Sequence, residues 1–86
     1  MTLKKRADIR VWEVEGEAIM YDPASGMGHV LNPTALRIWS MCDGRPEREI
    51  QAALGRDFPE SKETIHRDVT GAIKQFKELG LLECMA

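Results

Sequence analysis

The sequence predicts an α+β domain in which a small antiparallel meander of three strands precedes three helices. Apolar and polar residues alternate in short runs up to Leu31, the pattern of half-buried strands. Beyond it they recur at i, i+3, i+4 and i+7, the pattern of amphipathic helices. Between the two regimes, Asn32-Pro33 joins a strand end directly to a helix start. Asn is a strong N-cap, and Pro suits the first helical position because its missing N–H has no partner there.

Residues 1–8 are polar and are expected to fray. Ile9 to Glu15 is the first strand, Glu15-Gly16-Glu17 a tight turn, and Glu17 to Tyr21 the second strand, its hairpin partner. Asp22-Pro23-Ala24-Ser25-Gly26 reads as a turn: Asp opens it, Pro presets φ, and Gly supplies a positive φ. Met27 to Leu31 is the third strand, and it leads into the first helix. Ala35, Ile38, Trp39 and Cys42 share one face of that helix, and Asp43-Gly44 stops it.

The second helix is expected over Pro46 to Leu54, with Glu47 and Glu49 at its positive end and Gly55 terminating it. The loop that follows holds Phe58, read as a plug tucked back into the core. The third and longest helix runs from Lys62 to Leu79 with Ser61 as N-cap. Its apolar stripe is Ile65, Val69, Ala72, Ile73, Phe76 and Leu79. Gly71 inside it costs roughly 1 kcal/mol against Ala, so a close approach of another helix or a peptide is expected there. Gly80 caps the helix, and Leu81-Leu82 fold back onto the core.

A chain of 86 residues makes one domain. Its formal net charge of −2 argues against a surface built for nucleic acid or anionic lipid. Lys4, Lys5 and Arg6 are followed by no apolar run, so neither a signal peptide nor a membrane span is expected, and the expected compartment is cytoplasmic. Cys42 and Cys84 are too few for a disulfide framework and fit a reducing environment.

No catalytic constellation is legible. The carboxylates are scattered, no nucleophile elbow occurs, and Gly26-Met27-Gly28 is too short for a phosphate loop and lacks the following helix. His29, Cys42, His66 and Cys84 lack the paired spacing of a zinc site, so no metal and no cofactor is expected. Cys42 reads instead as a small buried hydrophobe.

Three helices after strands also suit a winged-helix nucleic-acid binder. Against it, the segment Gly55 to Ser61 exceeds the turn of about 3–4 residues in a helix-turn-helix. Lys62, Arg67, Lys74 and Lys77 of the third helix are also diluted by Glu63, Asp68 and Glu78. A binding surface remains. A sheet edge is a template for an added strand, and the long helix beside it can supply apolar pockets for alternate side chains. For Val30 and Leu31 the competing role is plain core packing.

The ordered set His29-Val30-Leu31-Asn32-Pro33-Thr34-Ala35, Ile38-Trp39, Cys42-Asp43-Gly44 and Glu49-Ile50 resembles the PqqD family. Asp68-Val69, Ile73, Phe76 and Leu79-Gly80-Leu81-Leu82-Glu83 continue the resemblance, which spans about residues 9 to 83. It implies a winged-helix-like arrangement and a non-catalytic peptide chaperone. Such proteins hold the leader segment of a ribosomally made precursor and present it to a modifying enzyme, often a radical S-adenosylmethionine enzyme. The family serves quinone cofactor, lasso peptide and thioether-bridged peptide pathways. The leader is implied to lie beside the third strand and against the third helix. Carried onto this chain, the peptide-binding residues are Gly28, His29, Val30, Leu31, Ile65, Arg67, Asp68, Val69, Ala72, Ile73 and Phe76. The expected partners are a leader peptide and a modifying enzyme, with no nucleic acid or membrane. An open edge also leaves a homodimer as an alternative. A nucleic-acid binder and a structural interaction domain are the competing functions.

Overall fold

The computed structural model describes residues 2–15 and 17–85, in the order β1 (Thr2–Lys5), β2 (Arg10–Val14), β3 (Glu17–Asp22), β4 (Met27–Leu31), α1 (Pro33–Ser40), α2 (Glu47–Asp57), a 3₁₀ turn (Pro59–Ser61), α3 (Lys62–Glu78) and β5 (Leu82–Met85). The meander β2-β3-β4 is antiparallel, and its register puts Trp12 beside Ile19 and Ile19 beside Val30. Alternation turns Ala18, Met20 and Leu31 inward onto the helices, all of them buried. Asn32 Oδ1 accepts the Ala35 N–H at 2.8 Å, and Pro33 opens α1, so the strand-to-helix junction forms as its residues dictate. The Asp22 carbonyl accepts the Gly26 N–H at 2.8 Å, and Gly26 sits at φ +73°. Gly16, placed in the first hairpin turn, lies outside the described residues, as does Met1 of the terminal stretch expected to fray.

The N-terminal stretch corrects the sequence reading most. Residues 2–5 do not fray. They form β1, which pairs antiparallel with β5 from Thr2 opposite Met85 to Lys5 opposite Leu82. On its other side Leu3 donates its N–H to the Arg45 carbonyl at 2.9 Å and accepts from the Gly44 N–H at 2.8 Å. Leu3 is buried among the core residues, which supplies the driving force. A second, two-stranded sheet therefore joins both ends of the described chain and lies outside the meander.

The helices differ in smaller ways. α1 ends at Ser40, ahead of Asp43-Gly44, where the Met41 N–H bonds the Ile38 carbonyl and the Cys42 N–H bonds the Trp39 carbonyl. α2 runs through Gly55 to Asp57. Gly55 is buried and sits against the methylene stem of Lys62, so it continues the helix as a contact point. Phe58 is 44% exposed and is no plug; the Arg37 guanidinium lies over its ring, 5.5 Å from the centroid. α3 starts at Lys62 without a side-chain cap from Ser61. At its end the Gly80 N–H bonds the Lys77 carbonyl and the Leu81 N–H bonds the Phe76 carbonyl, a Schellman closure with Gly80 at φ +74°. That closure drives Leu81 and Leu82 into the core. Trp39 and Phe76 meet edge to face at 5.2 Å, and Ile38, Ile50, Leu54, Val69 and Ile73 complete the core. No helix among the described residues is long and apolar enough to cross a membrane.

Candidate functional site

Among the described residues β4 has a strand neighbour on one side only, so its far edge is open. Along that edge a cavity of about 160 Å³ opens between β4, α3 and the segment after it. Met20, Leu31, Phe76 and Leu81 form its buried floor. Val30, Ala35, Ala72 and Leu79 make its rim, with His29, Asn32 and Gln75 as the polar groups. A cavity of about 150 Å³ takes a benzene-sized group, and the floor here is apolar under a polar mouth, so this one suits a single large side chain with an apolar body. Ala72 is what keeps it open: a longer side chain at that position on α3 would enter the space.

The cavity continues into a wider, more polar recess of about 360 Å³ between the start of α1 and the middle of α3. Asn32, Ala35, Ala72 and Gln75 border both spaces. Thr34, Arg67, Asp68 and Gly71 belong to the recess alone. A Cβ at Gly71 would meet no atom within 4 Å, so no helix approaches it; the glycine faces this open recess.

The residues singled out from sequence therefore divide. His29, Val30, Leu31, Ala72 and Phe76 line the apolar cavity, and Arg67, Asp68 and Ala72 line the polar recess. Gly28 stands on the edge strand itself, outside both spaces. Ile65, Val69 and Ile73 do not reach either: their side chains are buried in the core on the inner side of α3. Gln75, Leu79, Asn32 and Thr34 line the cleft and were not assigned to it from sequence; Gly71, where the approach of a helix or a peptide was expected, lines it too. For Gly71, Gln75 and Leu79 the signal was their place one turn from Ala72 and Phe76 on the flank of the apolar stripe; Asn32 and Thr34 reach the cleft from the start of α1, which only the packing of that helix on α3 reveals.

An ionic clamp holds the end of β3. Arg6 grips Asp22 with two hydrogen bonds, at 2.9 and 3.1 Å, and Asp8 at 2.6 and 3.1 Å. It also reaches the Gly80 carbonyl at 3.4 Å. Hydrogen bonding from Arg6, aided by the Ala24 N–H, holds the Asp22 carboxyl below its ordinary range against the opposing effect of burial. Burial pushes the Cys42 thiol up to about 12, and its Sγ–H donates to the Ile38 carbonyl. These groups serve the fold; none of them faces the cleft.

The chain resembles known proteins over most of its length. A family model described as Coenzyme PQQ synthesis protein D (PqqD) matches residues 17–82. Among solved structures, TbiB1 in complex with the TbiA(beta) leader peptide is 23% identical with a TM-score of 0.79, over 96% of this chain and 98% of that one. Lasso peptide synthetase B1 complexed with the leader peptide is 22% identical with a TM-score of 0.76, over 98% of this chain and 100% of that one. No curated protein matches the chain. The two structures share its fold, and the family match covers β3, β4 with its open edge and all three helices: the chain belongs to the PqqD family.

Proposed function

We propose that this chain is a non-catalytic peptide chaperone that binds the leader segment of a ribosomally made precursor. The leader adds as a strand to β4, and the chain presents the remainder to a modifying enzyme, a radical S-adenosylmethionine enzyme, in the cytoplasm. The observation that carries this reading is the open edge of β4 running beside an apolar cavity sized for one side chain. Backbone pairing along the edge supplies affinity for an extended chain, and the cavity supplies selection. Val30 and Leu31 line both edge and cavity, His29 and Gln75 flank its mouth, and Arg67 and Asp68 offer opposite charges to polar leader residues in the recess. Membership of the family, and the leader peptides bound in the two similar structures, support the same assignment.

The test is a titration of isotope-labelled protein with precursor peptides encoded beside its gene. Amide shifts are expected along Gly28–Leu31 and on the Ala72–Gln75 side of α3. Ala72→Arg, which fills the cavity from a partly exposed position, should weaken binding by about tenfold or more while the amide spectrum stays folded. Equal affinity in that folded variant would remove the cavity from the mechanism. Affinity should also change little with salt, unlike that of a protein whose binding rests on phosphate contacts.

A further inference from the structure

The outer face of the meander carries an apolar row that the core does not use. Trp12, Ile19 and Val30 are direct cross-strand neighbours on β2, β3 and β4. They are 51%, 44% and 68% exposed, and Val14 extends the patch on β2. None of them is among the residues packed against the core. A single exposed apolar side chain is ordinary, but three in one register form a continuous ladder across the whole sheet.

The row points to what completes it. Val30, its most exposed member, stands on the open edge and also lines the lip of the apolar cavity. A strand seated in that cleft must pass directly beside it. Side chains alternate along a strand, so a peptide paired with β4 sends one residue into the cavity and its sequence neighbour outward. The outward residue opposite Val30 becomes the fourth member of the ladder.

We infer that the chain reads its peptide on both faces: one apolar side chain in the cavity, and an adjacent β-branched or aromatic side chain outside, against the Trp12–Ile19–Val30 row. This inference rests on the strand-addition reading. It narrows the ligand to extended peptides with two consecutive apolar residues, because a polar residue at the outer position would forgo the cross-strand contact. Such a contact accounts for up to about fivefold in affinity.

The test is selection of displayed random dodecapeptides on the intact chain, on the triple variant Trp12→Thr, Ile19→Thr and Val30→Thr, and on Ala72→Arg. Val30→Thr alone keeps the branched shape and guards against a misfolded triple variant, with amide spectra recording the fold of each. The parent should enrich peptides carrying apolar residues at two adjacent positions. The threonine variants should lose enrichment at the outer position, and by more than at the cavity position, whose floor of Met20, Leu31, Phe76 and Leu81 they leave intact. Enrichment at one position only in the parent, or an unchanged pool from the threonine variants, would overturn the two-faced reading and leave strand addition standing. A pool that is unaffected by Ala72→Arg, or no enrichment at all, would overturn strand addition and this inference with it. Sedimentation of the parent is the remaining check: a dimer lost in the triple variant and undisturbed by selected peptides would assign the row to a second copy instead.

Discussion

Arg6 holds three separate parts of the chain with one guanidinium: the Asp8 corner, the β3 end at Asp22, and the α3 cap at Gly80. Asp22 is almost wholly buried, so the pair is shielded from solvent in a way the Arg37–Asp57 pair is not. The Asp22 carboxyl titrates lower in the folded chain than in the unfolded one, where the reference is about 4. Its stabilising effect is therefore complete above the unfolded value and disappears as pH falls through the folded value. Arg6→Ala should lower the melting temperature at neutral pH more than Arg37→Ala does, and the gap should shrink as the pH falls below the unfolded value of about 4 and on through the folded one. Thermal melts across pH check both statements. The two thiols make a second contrast: Cys42 is buried, its thiol raised to about 12, and Cys84 is exposed on β5. A water-soluble alkylating reagent at pH of about 8 should label Cys84 alone in the folded chain, and both thiols after denaturation, as intact mass would record.

At the scale of elements, α3 has two working sides. Its inner side buries Ile65, Val69, Ile73 and Phe76, and its flank of Arg67, Asp68, Gly71, Ala72 and Gln75 walls the cleft. Periodicity identifies the stripe but not where the stripe stops being core and starts being wall, because the two are adjacent on one helix surface. The resemblance carried one side of α3 over whole, so Ile65, Val69 and Ile73 stood with the binding residues although their side chains are enclosed. Gly71 lies on the wall side, where a Cβ would meet open space. Gly71→Ala should raise helix and protein stability by about 0.5–1 kcal/mol, measured by chemical denaturation. A loss of stability would reveal a contact that the present geometry lacks.

At the scale of the whole molecule, the ribbon β1–β5 brings Thr2–Lys5 against Leu82–Met85 and seals the core with Leu3 and Leu82. Lys5 completes the closure, its Nζ standing 5.3 Å above the centre of the Trp39 ring. The closure is non-local, and local pattern is silent about it: four residues with one apolar side chain carry too little alternation to read as a strand. Leu3→Ala should cost about 2–4 kcal/mol by denaturant unfolding, a core-sized loss at a position that local sequence assigns to a frayed end. The ribbon and the meander are separate sheets, so the open edge of β4 keeps its freedom while Thr2–Lys5 and Leu82–Met85 are tied to each other.

The chain's local chemistry was enough for the meander, the Asn32-Pro33 junction, the Gly80 closure and the order of strands before helices, since each depends on residues within a few positions of one another. The resemblance read from spaced residues was enough for the family. Tertiary structure alone decided the pairing of the ends, the exposure of Phe58, and the division of α3 between core and cleft. It also decided that Trp12, Ile19 and Val30, spread over three strands, stand side by side on an uncovered face. Those outcomes depend on which distant surfaces meet, and burial is settled only when they do.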